Sequence, residues 1–210
     1  MVVFERGQKI VFIGDSITDA GRRTDPLGNG VGYFNLVRSF LIGRYPELGL
    51  DIVNRGIGGN TVRHLKERWQ DDVIAENPDW LSVKIGINDV WRTFGANAHE
   101  AVPIDEFEAT YRELLTEAVE KTGTRLIIAE PYVIEPDTSD PFRAKMDQYG
   151  QVVRKIAADF GAINVRTQEA FDVALQSTTP ADWAEDKIHP NTPGHAIIAI
   201  AFLRELGFDL

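Results

Sequence analysis

Apolar residues in this chain fall in short, nearly continuous runs separated by longer amphipathic stretches, and that alternation limits the fold more than any other feature. The runs are Lys9 to Gly14, Leu50 to Asn54, Trp80 to Gly86, Thr124 to Glu130 and Ala162 to Val165. They are rich in Val and Ile and do not alternate apolar with polar, which is the pattern of parallel strands covered on both faces. The stretches between them are helical. Phe107, Tyr111, Leu114, Leu115 and Ala118 form an amphipathic stripe, with Asp105 and Glu106 in its first turn. Met146, Tyr149, Val153, Ile156 and Phe160 mark a second helix, opened by Asp140 as N-cap and Pro141 at N1. Thr192-Pro193 repeats the cap-then-proline signal ahead of Ile197, Ile198, Ala201 and Leu203, and that helix ends near Gly207. No repeat, low-complexity linker or composition shift interrupts the alternation. Residues 1–210 are therefore expected to form one doubly wound α/β domain.

Composition narrows the partners. With 210 residues and 43% hydrophobic content, the chain can bury a sizeable core without metal or disulfide staples. Its net charge of −10, with no lysine-rich run, repels phosphate backbones and anionic lipid, so neither nucleic acid nor membrane is expected as principal partner. An uncharged or cationic small substrate fits better. The absence of cysteine excludes disulfides, thiolate metal sites and cysteine nucleophiles. Val2, Val3 and Phe4 meet Glu5 and Arg6 at once, which is too short an apolar run for a secretory signal, and the expected location is cytoplasmic. No segment approaches the roughly 18 apolar residues of a membrane span.

In a doubly wound sheet, ligands bind at the carboxyl ends of the strands. There the sequence reads Gly14-Asp15-Ser16, Asn54-Arg55-Gly56-Ile57-Gly58-Gly59, Gly86-Ile87-Asn88-Asp89 and Glu130-Pro131-Tyr132. Glycine and aspartate are ordinary turn residues, so each cluster alone also reads as chain reversal. Their coincidence at one edge points to a site.

Nucleophilic chemistry needs a hydroxyl and a base, and elimination leaves one of each. Of the serines, Ser39 lies in a helical stretch, Ser82 lies within the third strand, and Ser139 and Ser177 lie in loops without glycine or asparagine signals. Ser16 alone sits at a strand's carboxyl end. Of the four histidines, His64 reads as a solvated residue of a helix with buried stripe Val62, Leu65 and Trp69. His99 lies in a polar loop, and His195 falls in the first turn of the last helix as a packing or solvent-facing residue. His189 remains, in Asp186-Lys187-Ile188-His189-Pro190. A carboxylate three residues upstream can accept from Nδ1, fix the tautomer with Nε2 free, and stabilise the imidazolium. An Asp turn ahead of a helix has the same spacing. For a developing oxyanion the candidate donors are the Ser16 N–H, the N–H beside Gly58-Gly59, and the Asn88 amide. The surroundings of Ser16 are not the G-x-S-x-G elbow, which disfavours the α/β-hydrolase fold.

Taken in order, Gly14-Asp15-Ser16, Gly59, Asn88 and Asp186-x-x-His189 resemble the four sequence blocks of the SGNH hydrolases, the GDSL esterase family. The resemblance implies a three-layer α/β/α, flavodoxin-like fold with a five-stranded parallel sheet. It also implies a triad of Ser16, His189 and Asp186, and an oxyanion hole of Ser16, Gly59 and Asn88. Phe12-Ile-Gly-Asp-Ser-Ile-Thr-Asp19, Asn60-Thr-Val-Arg63, Ile85-Gly-Ile-Asn-Asp-Val-Trp-Arg92 and Met146-Asp-Gln-Tyr-Gly150 are similar to intracellular acetylxylan esterases. Members of that subgroup deacetylate xylan-derived oligosaccharides and can form homo-oligomers, so an acetylated sugar substrate, homo-oligomeric assembly and no metal or organic cofactor are expected. Trp91 fits stacking on a sugar face, walling a short acyl pocket, or core packing, and Tyr132 carries the same alternatives. Asp15, Asp19 and Arg92 fit substrate hydrogen bonding or pinning of the loops that hold Ser16 and Asn88. Two other readings stay open: a general short-chain carboxylesterase of the same family, and a non-enzymatic flavodoxin-like binding module. Asp15 and Asp19 weigh against the second by placing negative charge where a flavin phosphate would sit.

Overall fold

The computed structural model describes residues 2–209, so Met1 and Leu210 of the expected domain lie outside the described residues. The apolar runs form a five-stranded sheet of β1 (Lys9–Gly14), β2 (Asp51–Gly56), β3 (Trp80–Lys84), β4 (Arg125–Ala129) and β5 (Ile163–Val165). Its order is β2-β1-β3-β4-β5 and every pairing is parallel. The helices are α1 (Ser16–Asp19), α2 (Tyr33–Arg44), α3 (Val62–Trp69), α4 (Ile87–Trp91), α5 (Ile104–Thr122), α6 (Pro141–Asp159), α7 (Thr167–Leu175) and α8 (Thr192–Glu205). α8 packs between α2 and α7 on one face, while α5 packs between α3 and α6 on the other, giving three layers.

Burial explains the strand composition. Ile10, Val11, Phe12 and Ile13 of β1 are all fully buried because both faces of this interior strand are covered. Each such side chain contributes about 1.5–3 kcal/mol relative to exposure. Phe12 packs edge-on to Phe34 at 5.2 Å and beside Phe202 at 5.8 Å, joining β1 to α2 and α8. Phe107 and Tyr149, 5.1 Å apart, join α5 to α6 on the other face. The first residues belong to this core: Val3 N–H donates to the Leu206 carbonyl, and Phe4 meets Trp80 edge-on at 5.5 Å.

Several boundaries differ from the expectation. β2 runs on to Gly56 because Arg55 and Gly56 keep their register with Ile13 and Gly14. β3 stops at Lys84, two residues short of Gly86, which takes φ +130 to begin α4. The cap of α8 is Asn191, whose side chain accepts from Gly194 N–H, so Thr192 and Pro193 are already helical. Asp140 caps α6 as expected, accepting from the Phe142 and Arg143 N–H groups. α1 and α4 are single turns, too short to leave a periodic signal. α7 escapes notice because two of its three buried residues, Thr167 and Gln168, are polar.

The chain leaves β1 for β2 on one side and then crosses to β3 on the other. That reversal opens a crevice at the carboxyl ends of β1 and β3. Ser16 and Asn88 stand immediately beyond those two ends.

Candidate active site

Ser16 opens α1, a turn held by its own sequence. The Asp15 Oδ1 accepts the Ile17 N–H at 2.9 Å as N-cap. Gly14 is required just before it, because a Cβ there would lie 2.4 Å from the Lys84 carbonyl oxygen and 2.5 Å from the Thr18 Oγ1. The turn therefore nests against β3 and presents Ser16 at the crevice.

Opposite Ser16, the segment before α8 brings His189 into place. The Ser16 Oγ and His189 Nε2 are 2.9 Å apart, and the His189 Nδ1 lies 2.6 Å from the Asp186 Oδ2. The second oxygen of Asp186 accepts the backbone N–H groups of Ile188 at 2.9 Å and His189 at 2.7 Å. One carboxylate thus folds the loop and orients the ring. Burial opposes its charge, but the hydrogen bonds from the His189 ring and the two N–H groups hold its pKa below the ordinary aspartate value. Asp186 accordingly stays ionised and ties up the Nδ1 proton, which leaves Nε2 to face the serine.

The loop after β2 supplies the third side. Gly59 adopts φ +80, a conformation that favours glycine. Its carbonyl accepts from the Arg92 Nη2 at 2.7 Å, and Arg92 is in turn paired with Glu100 at 3.0 Å. The Gly58 N–H donates to the Asp19 Oδ2 at 3.1 Å. Asn88, nearly buried, donates through Nδ2 to the Asn60 carbonyl at 3.0 Å, which leaves its second amide hydrogen unused. Among the described residues neither the Ser16 nor the Gly59 N–H has an acceptor. The Ser16 N–H, the Gly59 N–H and the Asn88 amide are thus the donors left without an acceptor on the segments that follow β1, β2 and β3. Trp91 follows on α4, 42% exposed, its ring edge-on to His189 at 6.4 Å. A hydroxyl with a base at hydrogen-bond distance, an orienting carboxylate behind the base and free donors nearby can carry acyl transfer.

The structure brings Ser16, His189, Asp186, Asn88, Gly59, Trp91 and Arg92 to one edge and moves two expected substrate residues away from it. Tyr132 is fully buried, with its hydroxyl donating to the Ile188 carbonyl at 3.2 Å, so it supports the histidine loop from below. Asp15 is also fully buried, and its work is to cap α1. Arg92 and Asp19 hold the Gly58-Gly59 loop, the pinning alternative for each. His64 is not simply solvated: its ring accepts the Thr61 N–H and closes the capping box of α3. His195 is a packing residue whose Nδ1 accepts the Tyr33 N–H, and burial pushes its pKa down to about 4.

Sequence reasoning passed over Arg68 entirely. Its guanidinium donates to the Gly14 carbonyl at 3.0 Å, the Arg55 carbonyl at 2.7 Å and the Asn60 Oδ1 at 2.8 Å, tying together the ends of β1 and β2. An arginine on a polar helix face gives no sign of this in the sequence.

Asp89, beside Asn88, is fully buried and accepts the Val62 N–H at 2.9 Å. Burial pushes its pKa from 3.8 up to about 7. A carboxyl raised in this way binds its proton more tightly folded than unfolded, so its contribution to stability falls as pH rises through that window. Asp89→Asn keeps an acceptor for Val62 and removes the titration. Thermal midpoints across pH 4–8 are expected to show the variant gaining on the wild type towards neutral pH, and a constant difference would contradict the assignment.

Comparison with known proteins identifies relatives along nearly the whole chain. Residues 12–197 match the model of the GDSL-like lipase/acylhydrolase family. An acetylxylan esterase from Geobacillus stearothermophilus is 48% identical, over 97% of this chain and 95% of that one. A crystal structure of the Geobacillus acetylxylan esterase superposes with a TM-score of 0.93 at 46% identity, covering 98% of this chain and 96% of that one. Catalytic mutants of it with a serine, an aspartate or a histidine replaced by alanine have also been solved and match as well. LAE5, described as an alpha/beta hydrolase enzyme from the metagenome of Lake Arreo, Spain, superposes with a TM-score of 0.94 at 43% identity, over 99% of this chain and 98% of that one.

Proposed function

Since the chain belongs to the GDSL-like lipase/acylhydrolase family, we propose that it is a serine esterase that removes acetyl groups from acetylated xylo-oligosaccharides. The observation that carries this reading is the continuous hydrogen-bonded row from the Ser16 Oγ through the His189 ring to Asp186. Similarity to the Geobacillus acetylxylan esterase along nearly the whole chain supports the substrate class.

In this mechanism His189 Nε2 takes the Ser16 proton as the oxygen attacks the acetyl carbonyl. The carbonyl pair moves onto oxygen, where the Ser16 and Gly59 N–H groups and the Asn88 amide hold it. Asp186 stabilises the imidazolium, which then gives its proton to the departing sugar hydroxyl as the tetrahedral adduct collapses to acetyl-Ser16. Water, deprotonated by the same histidine, repeats the sequence and releases acetate. Protonated His189 cannot accept the serine proton, so activity falls on the acid side. The steps balance without metal or organic cofactor. Trp91, exposed beside His189, is placed in this reading as the wall that meets the sugar or the short acyl group. The same reading takes residues 1–210 as one domain, cytoplasmic and homo-oligomeric. Among the described residues no helix is long and apolar enough to cross a membrane.

Acetate release from acetylated xylo-oligosaccharide, measured beside chromogenic acetyl, butyryl and octanoyl esters, tests the function. Cleavage of the sugar acetates with a preference for acetyl is expected. Activity confined to the chromogenic esters would replace the reading with a general short-chain carboxylesterase. The oxyanion role is tested separately: Asn88→Ala is expected to lower kcat about 10²–10³-fold with little change in KM, because the donor is needed only as charge develops. An unchanged kcat would remove Asn88 from the site.

A further inference from the structure

The esterase reading gives no role to the buried charged side chain of Lys84. Lys84 closes β3, is 1% exposed, and among the described residues its Nζ has no hydrogen-bond partner. In the sheet it stands opposite Gly14, one residue before Asp15. Asp15 is fully buried too, and its Oδ2 likewise has no partner among the described residues. A lone buried ammonium or carboxylate is costly, and an opposite charge nearby is the usual compensation.

We propose that Lys84 and Asp15 form a buried charge pair beneath the nucleophile turn, and that Lys84 is a positioning residue for both halves of the triad. On one side, Asp15 uses its other oxygen to cap the turn that carries Ser16. On the other, the Lys84 ammonium lies 4.5 Å from the centre of the Tyr132 ring. The Tyr132 hydroxyl donates to the Ile188 carbonyl, the peptide that leads into His189. One cation therefore lies against the support of the base and, across the strand pairing, next to the residue that leads into the support of the nucleophile.

Electrostatics runs the same way. Burial pushes Lys84 down and Asp15 up, and in each case the charge of the partner opposes the shift. The remaining groups that feel this pair are His189, His195 on α8, Tyr33 on α2, and Asp89 on α4. His195 is held neutral, and Tyr33 and Tyr132 stay protonated, so none of these three supplies the anion that a buried Lys84 calls for.

The kinetic part rests on the esterase reading, whereas the stability part does not. The experiment is a double-mutant cycle of Lys84→Met, Asp15→Asn and the pair together, with wild type alongside. Asn keeps an acceptor for the Ile17 N–H, and Met keeps most of the lysine's volume. Each single variant is expected to lose roughly tenfold in kcat on a chromogenic acetyl ester with KM little changed. Each should also lower the thermal midpoint. The double variant, with neither charge left buried, should melt well above the sum of the two losses. Additive losses in thermal midpoint, or losses that appear in KM and not in kcat, would overturn the proposal and leave Lys84 as filler. If Lys84→Met does not fold, folding of the double variant supports the pair, and failure of both overturns it. A wild type inactive on every ester would sink the esterase reading while the thermal cycle still decides the pair.

Discussion

Replacing Ser16 by alanine lowers kcat for acetyl ester hydrolysis by roughly 10⁵-fold, and replacing His189 by alanine has an effect of the same order. The two oxygen- and nitrogen-bearing groups act as a unit, since the Ser16 Oγ is 2.9 Å from the Nε2 that must take its proton. Without the base the hydroxyl is a poor nucleophile at neutral pH, and without the hydroxyl the base has nothing to activate but water. Combining the two substitutions therefore costs little more than either one. Steady-state kinetics on folded Ser16→Ala, His189→Ala and the double variant check this, and a multiplicative loss would separate the two residues. Circular dichroism and thermal midpoints should be close to wild type, because neither side chain is part of the core.

The second large effect is expected at Asp186. Asp186→Asn should lower kcat roughly 10⁴-fold while leaving the loop in place. The amide oxygen can still accept from the Ile188 and His189 N–H groups, so the fold of the segment survives. The amide nitrogen, facing Nδ1, donates where the carboxylate accepted. That reverses the ring's tautomer and puts a proton on Nε2, where the serine proton has to go. The hydrogen bonds that hold Asp186 below the ordinary aspartate range also keep it ionised well into acid, so the variant should lag wild type across the whole pH profile. A variant retaining wild-type turnover would show that the 2.6 Å contact between Nδ1 and Asp186 does not govern the chemistry.

The legible part of this molecule was the part written in repeated chemistry. Val and Ile runs mark the strands, most cleanly the interior β1, β3 and β4, whose faces are both covered, whereas the edge strand β2 alternates buried with less buried positions. Ser16 and His189 emerged because few serines and histidines compete for the role and only these two stand at strand or helix junctions of the right edge. Single turns were harder. α1 and α4 carry the nucleophile and the Asn88 amide, yet four or five residues give no period to read. Direction was harder still: Tyr132 and Asp15 lie next to the site in sequence, and their side chains turn inward, one under the histidine loop and one under the serine. No pattern in the sequence reveals which way a residue after a strand end points. Lys84 illustrates a different gap, since a single charge inside the Trp80 to Gly86 run passes as an interruption of an otherwise apolar strand. Only the fold shows that it stands opposite Gly14 and under the ring of Tyr132.

The segments that carry the proposed triad and donor set are held by hydrogen bonds: Asp15, Arg68, Arg92, Asp19 and Asn60 fix those of Ser16, Gly59 and Asn88, and Tyr132 fixes that of His189. By contrast, Trp91, Phe94, Leu27 and Val31 are large apolar side chains left exposed on segments that follow the serine and Asn88.

Labelling with a serine-directed fluorophosphonate, followed by peptide mass spectrometry, tests the central claim most directly. One adduct per chain on Ser16 is expected, blocking ester hydrolysis in proportion to labelling and forming far more slowly in His189→Ala. An adduct on any other serine, or full esterase activity in a chain fully labelled at Ser16, would contradict the account.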